Sequence, residues 1–269
     1  QPSMVKQYPF PHLVIYDAIP ERFAEILTNN FIFQSFDLNA NNKRLDISAS
    51  EALTNNALID EWREFIKYHS SRNFFLQVIK IFEDYLGGYN KLSNINLKNA
   101  RIGVRNLDSF KYKDILMDAQ ISINTPVNYS TSVRTVHTDN INKLFSSLFY
   151  LRQPNDDSVG GNLQLCEWKN LYSEKKKIRL YKEGLDESHY NVVKEIKYSN
   201  NLAVIFLNSI NALHCVTPRE PTIHPRIFVN IISETSFDLF NHHPFFKRKV
   251  IKLMNKIRKL RRAIQVCLK

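Results

Sequence analysis

From about residue 114 to residue 234, the sequence is a succession of short apolar runs rich in β-forming residues and separated by polar or Gly/Pro-containing turns. Short strands at this spacing, with few helical segments between them, are typical of a double-sheet jelly roll or a barrel. The sequence therefore predicts an α+β chain whose core is mainly β. The runs are ILMDAQISIN, KLFSSLFYL, GNLQLCEW, KKIRLYK, YNVVKEIKY, NLAVIFLN, ALHCV and RIFVNIIS.

Helical patterns flank this region. An N-terminal strand-like segment, Phe10–Ala18, is followed by Pro20, which opens a helical stretch. From Ser48 to about Tyr89 apolar residues recur at helical spacing until Gly87-Gly88, which predicts a pair of helices covering one face of a sheet. Helical character returns from Pro244 to the last residue.

The positive charge is concentrated at the C-terminus. Of the net charge of +11, ten positive charges and no acid lie in residues 247–269, so the rest of the chain carries +1. This distribution argues against a specific nucleic-acid partner for the chain as a whole. We predict a basic amphipathic helix over 245–269, which either docks on the core or contacts an anionic membrane surface or polyanion. Its apolar stripe is Val250, Met254, Ile257, Leu260, Ile264 and Leu268.

Cysteine usage and hydropathy bear on the compartment. The three cysteines are an odd number without metal-ligand spacing, so a disulfide framework is not expected and a reducing compartment is the default. No apolar run approaches the ~20 residues of a membrane-spanning helix. The first residues lack the apolar core of a signal peptide. We expect a cytoplasmic protein, with peripheral membrane contact through the C-terminal segment as the alternative.

The triplet His137-Thr138-Asp139 precedes a strand-like run. Residues i and i+2 of an extended chain point to the same side, so this His and this Asp are able to bind one ion together. His214, in ALHCV, is the best candidate for a third ligand. Two His and one carboxylate on one face of an octahedron leave three positions open, which is the geometry of non-haem Fe(II) oxygenases. A His-X-Asp triplet alone is common, and the interpretation depends on the surrounding pattern.

The surrounding residues resemble the prolyl-4-hydroxylase-like branch of the 2-oxoglutarate- and Fe(II)-dependent oxygenase superfamily. FPHLVIYDAIPERFAEIL resembles its opening strand and helix, and HTDN followed by KLFSSLFYLRQPNDDSVGGNLQL resembles its central stretch. AVIFLNSINALHCVTPRE followed by HPRIFVNI resembles its closing stretch. The resemblance implies a double-stranded β-helix, a cupin-like jelly roll, with flanking helices. It further implies one oxygenase domain over 1–244, with a helical cover at 48–89 and a β-helix core at about 114–234.

Carried onto this sequence, the resemblance implies that His137, Asp139 and His214 bind Fe(II), with 2-oxoglutarate as cosubstrate and O₂ as oxidant. Arg226 would hold the distal carboxylate of 2-oxoglutarate through its planar guanidinium, and Tyr150 would donate its hydroxyl to the same carboxylate.

The sequence departs from the family's pattern at two places and agrees with it at a third. Phe228 stands where the family often has a Ser or Thr that also touches the carboxylate. The spacing from His214 to Arg226 is slightly long, which predicts a larger turn around Pro221. Halogenating relatives have a small residue at the position of Asp139, so its presence implies hydroxylation or another oxidation.

The substrate is less constrained by the sequence. Arg134 is the strongest candidate for a substrate contact, and on a polar strand face it would suit an anionic or hydroxyl-rich small molecule. The alternative is that Arg134 forms an ion pair with a surface acid. The favoured hypothesis is hydroxylation of a small or sugar-like metabolite. The alternatives are a protein or peptide hydroxylase, a catalytically silent binding protein of the same fold, and a zinc hydrolase. In either kind of hydroxylase, the helices at 48–89 and the loop 125–136 could form a lid or a peptide groove. The candidate substrate residues are Gln120, Asn124, Arg134, Asn140 and Arg219.

Overall fold

Two mainly antiparallel sheets form the core in the computed structural model, which describes residues 4–89, 91–92, 95–169, 185 and 187–240. The larger sheet has the order β1-β8-β5-β10-β4-β2, with β3 pairing parallel to β4, and the smaller has the order β7-β6-β9. The strands are β1 His12–Tyr16, β2 Arg44–Ile47, β3 Ile102–Val104, β4 Ile115–Asn124, β5 Lys143–Tyr150, β6 Leu163–Trp168, β7 Tyr190–Ile196, β8 Leu202–Leu207, β9 Leu213–Val216 and β10 Arg226–Thr235.

The chain winds back and forth between the two sheets. It passes from β4 in the larger sheet to a bridge between His137 and His214 beside the smaller one, then to β5, across β6 and β7, and back through β8, β9 and β10. This winding is that of a jelly roll, and the fold predicted from the sequence is confirmed. Seven of the eight predicted core runs correspond to strands. The eighth, KKIRLYK at 176–182, lies outside the described residues.

Alternation along the strands separates the two faces of the larger sheet. On β10, Ile227, Val229 and Ile231 belong to the main hydrophobic core, while Phe228 and the other even-numbered positions face the opposite side. The register continues this division across β4 and β5, because Phe228 pairs with both Ser122 and Tyr150. The face formed by the odd-numbered residues of β10 is therefore covered by helices, and the face formed by its even-numbered residues lies towards the space between the sheets.

Three helices, rather than the predicted pair, follow Ser48. Ser48 forms a capping box with Glu51 at the start of the first, and the Ser71 hydroxyl accepts from the Phe74 amide at the start of the third. Side chains that cap helices thus divide what the apolar spacing alone joins into longer segments. The helices are α1 Glu21–Asn29, α2 Ala49–Thr54, α3 Asp60–His69 and α4 Arg72–Ile81, and a 3₁₀ turn follows at Glu83–Gly88.

One histidine under this helical cover makes stability depend on pH. Burial among aromatic rings, including Phe65 at 3.9 Å between ring centroids, lowers the pKa of His69 from 6.5 to about 4. The unfolded chain binds this proton first, so the stability gained from neutral His69 is present above pH 6.5 and is lost as the pH falls towards 4. When the pH falls from 7 to 5, the free energy of unfolding of the natural protein should decrease because of His69. The His69→Gln variant lacks this effect, so its decrease should be about 1–2 kcal/mol smaller. Urea unfolding at both values measures this, and equal losses would contradict it.

None of the helices that the structure describes is long and apolar enough to cross a membrane. The predicted basic helix at 245–269 lies outside the described residues, and its docking or surface role stays a prediction. The division of the chain at residue 244 also stays a prediction.

Candidate metal centre

His137 and His214 face each other across a pair of antiparallel backbone segments. The amide of each donates to the carbonyl oxygen of the other, both at 3.0 Å, and the ring centroids are 4.3 Å apart. Asp139, two residues on, turns to the same side as His137. Ligand atoms of all three residues lie within 4.8 Å of one another, and both histidines are buried. The structure therefore brings together the three residues that the sequence singled out.

The tautomer of each imidazole is set by a backbone carbonyl. Nδ1 of His137 lies 2.8 Å from Thr135 O, and Nδ1 of His214 lies 3.0 Å from Ala212 O. A carbonyl only accepts, so Nδ1 carries the proton and Nε2 presents a lone pair. Burial lowers the pKa of both rings, which favours the neutral form that a metal ion requires.

A chain of hydrogen bonds orients the carboxylate. Ser146 Oγ donates to Asp139 Oδ2 at 2.6 Å, and Asn208 Nδ2 donates to Ser146 Oγ at 3.1 Å. The ammonium of Lys143 lies 3.5 Å from Asp139 Oδ1. Burial acts to raise the pKa of this carboxyl, but the charge of Lys143 and the hydrogen bond from Ser146 act against it, and the pKa of Asp139 lies well below its usual range. The cluster therefore offers two neutral nitrogens and one ionised oxygen donor.

Removing the hydroxyl that holds this carboxylate is expected to weaken metal binding. Partners that orient a ligand are typically worth about 10–100-fold in metal affinity, so Ser146→Ala should lose about that much. Ser147→Ala is the matched control, because Ser147 is equally buried but points to the opposite face of β5. Competition with a chelator measures both affinities. Equal affinities of the two variants would show that Ser146 does not support the site.

Arg226 begins β10 at the deep end of the space between the sheets. Its Cζ lies over the rings of Tyr150, Phe228 and Tyr198, at 4.7, 5.1 and 5.2 Å from their centroids. One nitrogen, Nη1, donates to Asn124 Oδ1 at 3.2 Å. The donors Nε and Nη2 of Arg226 and the hydroxyl of Tyr150 are buried and have no hydrogen-bond partner among the residues that the structure describes.

Buried donors without partners are costly, so their clustering indicates a missing acceptor. A carboxylate matches two N–H groups of one guanidinium and leaves lone pairs for a phenol. The metal cluster and Arg226 line one cavity of about 340 Å³. Its donor set fits a divalent metal of the first transition row at one end and a carboxylate at the other. The residues present therefore fit both Fe(II) and 2-oxoglutarate.

Four of the five predicted substrate residues line this cavity, and Arg219 does not. The Arg219 guanidinium is buried and donates to the backbone carbonyls of Asn124, Thr125 and His224. It therefore ties the end of β4 to the turn before β10. Gly161, at φ +73, leaves room for it, because an added Cβ would lie 3.1 Å from side-chain carbons of both Arg219 and Arg226. The four that line the cavity are Gln120, Asn124, Arg134 and Asn140.

Sequence reasoning missed three other cations of the cavity wall, namely Arg44, Arg105 and Lys143. Lys143 starts β5 at an odd-numbered position, so alternation from Ser146 and Tyr150 would place it on the opposite face; a register shift where it pairs with Glu234 interrupts this alternation. Arg44 lies on β2, a short edge strand without an apolar pattern, and Arg105 follows the three-residue β3. No signal in the sequence places either in the cavity. Arg44 lies over the Phe228 ring at 5.2 Å, where the resembled family often has a hydroxyl.

No protein-family model matches the chain, and no curated protein matches it significantly. Solved structures are similar to it at low identity. A prolyl-4-hydroxylase from Pseudomonas putida is 10% identical with a TM-score of 0.44, covering 84% of this chain and 93% of the other. A prolyl 4-hydroxylase from Phytophthora capsici is 14% identical with a TM-score of 0.45, covering 84% of this chain and 59% of the other. HygX from Streptomyces hygroscopicus, solved with nickel and 2-oxoglutarate bound, is 10% identical with a TM-score of 0.40, covering 84% and 83%. Because all three TM-scores are below 0.5, the function of this chain is inferred from its own residues.

Proposed function

We propose that this protein is an Fe(II)- and 2-oxoglutarate-dependent dioxygenase that hydroxylates a C–H bond of a small metabolite. The observation that carries the proposal is the pairing, in one cavity, of a two-histidine, one-carboxylate cluster with a buried arginine that has two unused donors. Three ligands on one face leave three positions for a chelating cosubstrate and O₂.

Each residue then has a stated task. Nε2 of His137, Nε2 of His214 and an oxygen of Asp139 would hold the iron. Nε and Nη2 of Arg226 would receive the distal carboxylate of 2-oxoglutarate, with the Tyr150 hydroxyl as a further donor. When bound, iron supplies the oxidising chemistry, in which O₂ converts 2-oxoglutarate to succinate and CO₂ and hydroxylates the substrate.

Part of the cavity wall is apolar. Leu148, Leu163 and Phe206 supply apolar surface beside the metal cluster. A drier cavity strengthens the attraction between Arg226 and a carboxylate, because the local dielectric constant falls.

The size of the cavity and the anchoring of the loop beside it favour a small molecule over a peptide. A volume of about 340 Å³ is at the lower end of small-molecule sites, which typically run from about 300 to 1,000 Å³. The loop 125–136 is tied down on one side, because Val127 and Thr222 exchange two backbone hydrogen bonds, as do Thr131 and Arg219. These hydrogen bonds hold the loop in place beside the cavity more firmly than a lid without such contacts would be held.

The other two hypotheses explain less of the site. A zinc hydrolase would have no use for a buried guanidinium with Tyr150 beside it, 4.7 Å from Cζ to the ring centroid. A silent binding protein would have no need of a hydrogen-bonded Asp139 between two histidines with free Nε2 atoms.

Succinate formation tests the proposal. The full chain with Fe(II), 2-oxoglutarate and O₂ is offered small acids, sugars and short peptides separately, with His137→Ala as the inactive control. We expect one or more small molecules to raise succinate formation. Stimulation by peptides alone would instead support a peptide hydroxylase. No succinate under any condition, together with no 2-oxoglutarate binding, would support a silent binding protein.

A further inference from the structure

We infer that the substrate carries an anionic oxygen group, a carboxylate or a phosphate, which Arg134 receives at the mouth of the cavity. The inference rests on the proposed function, since it concerns what lies over the metal once 2-oxoglutarate occupies Arg226.

The backbone of Arg134 is fixed at the mouth. Its amide donates to Ser132 Oγ at 3.2 Å, and its carbonyl accepts from the Val216 amide at 3.1 Å. Ser132 Oγ in turn lies 2.6 Å from Val216 O. Arg134 is thus fastened to the end of β9, two residues beyond His214, while its side chain lines the cavity and is exposed.

Arg134 lines the same cavity as His137, Asp139 and His214. A group bound by Arg134 is therefore within reach of the positions that the three ligands leave open.

Other cations of the wall have carboxylate partners. Arg44 Nε lies 2.8 Å from Asp46 Oδ1, and Lys143 Nζ lies 3.5 Å from Asp139 Oδ1. Arg105 lies between two acids, 3.6 Å from Asp118 and 3.9 Å from Glu234.

Arg226 is taken by the cosubstrate under the proposed function. Bound iron and the 2-oxoglutarate dianion cancel each other in charge. Within the described part of the chain, Arg134 is then the one cavity cation that has neither a carboxylate within 4.0 Å nor the cosubstrate as its partner.

A substrate that covers Arg134 must compensate its charge. Taking a guanidinium out of water without a partner costs several kcal/mol, and a bidentate anion removes that cost. A neutral polyol would shield Arg134 from solvent and offer only weak acceptors. The amides of Asn140 and Gln120, which also line the cavity, suit the neutral polar remainder of such a molecule.

The test uses the full chain saturated with Ni(II) and 2-oxoglutarate, which holds the site in a form that does not turn over. Calorimetry measures the binding of two pairs that differ in charge, glucose 6-phosphate against glucose and N-acetyl-leucine against its amide. Inorganic phosphate and acetate are added to compare the two classes of anion. The proteins compared are the natural chain, Arg134→Gln, Arg134→Lys and, as a matched surface control, Arg22→Gln.

At least one anionic probe should bind the natural chain and Arg22→Gln about 10–100-fold more tightly than it binds Arg134→Gln, as expected for a charge-assisted hydrogen-bonded pair. Arg134→Lys should fall between them, because it retains the charge without the planar fork. The neutral partner of that probe should bind more weakly than the anion. Whether the phosphate or the carboxylate member binds tighter identifies the anion.

Three results would overturn the inference: equal binding of neutral and anionic probes, equal binding of anions to Arg134→Gln and the natural chain, or no anion binding to any of the proteins. Binding of 2-oxoglutarate to the nickel form is measured first. If that binding fails, the proposed function is wrong. If it is normal and an overturning result follows, only the inference about the substrate is wrong.

Discussion

Replacing Arg226 with methionine is expected to weaken 2-oxoglutarate binding by about 100-fold or more, without loss of metal binding. A buried bidentate carboxylate–guanidinium pair is among the stronger polar contacts in proteins, and removing one partner of such a pair typically costs about 3–5 kcal/mol. Arg226→Lys should recover part of the loss, since it supplies a charge without the fork. Calorimetric titration of the nickel form with 2-oxoglutarate measures the effect.

The stability of the same variant is informative. In the part of the chain that the structure describes, two buried donors of Arg226 have no partner, and Nη1 donates to a neutral amide, that of Asn124. A buried charge without a counter-ion is destabilising, so an apolar side chain of similar size removes that cost. We therefore expect the melting temperature of ligand-free Arg226→Met to equal or exceed that of the natural chain. An unchanged affinity for 2-oxoglutarate would show that Arg226 is not the carboxylate partner.

The second large effect is expected at Asp139. Asp139→Asn removes the one anionic ligand of the cluster and leaves Lys143 without its partner at 3.5 Å. Metal affinity should fall by about 100-fold or more, because the loss of a direct ligand exceeds the 10–100-fold typical of its supporting partners. Fe(II) or Ni(II) affinity under chelator competition measures this, with Asp60→Asn as the exposed control.

A double variant distinguishes the loss of Asp139 as a metal ligand from the effect of leaving Lys143 without its partner. Asp139→Asn combined with Lys143→Met removes the unpaired ammonium as well, and should regain stability while metal affinity stays low. Full recovery of metal affinity in the double variant would show that Asp139 acts through Lys143 and is not itself a ligand.

The sequence predicted the elements that depend on alternation. The even-numbered positions of β10 and β5 face the cavity because side chains alternate along a strand, so Arg226, Ser146 and Tyr150 share one side once the strands are aligned. His137 and Asp139 follow from the same rule. His214 needed more than local pattern, because the bridge that sets it opposite His137 joins residues far apart in the chain.

Long-range geometry explains what the sequence did not predict. Arg219 has the same chemistry as Arg134, yet its guanidinium binds backbone carbonyls, and only the three-dimensional path of the chain decides which arginine reaches the cavity. β2 is a four-residue edge strand with an exposed, polar pattern, so neither its pairing nor the position of Arg44 follows from periodicity. The helices after Ser48 were divided by capping side chains that an apolar-spacing argument ignores.

The central claim is that His137, Asp139, His214 and Arg226 together bind iron and 2-oxoglutarate, and one anaerobic titration tests it most directly. Fe(II) and 2-oxoglutarate are added to the metal-free full chain, separately and together, while the visible absorption is recorded. We predict a weak metal-to-ligand charge-transfer band that appears only with both additions and is lost in His137→Ala. No band with both additions, combined with no calorimetric binding of 2-oxoglutarate, would contradict the account.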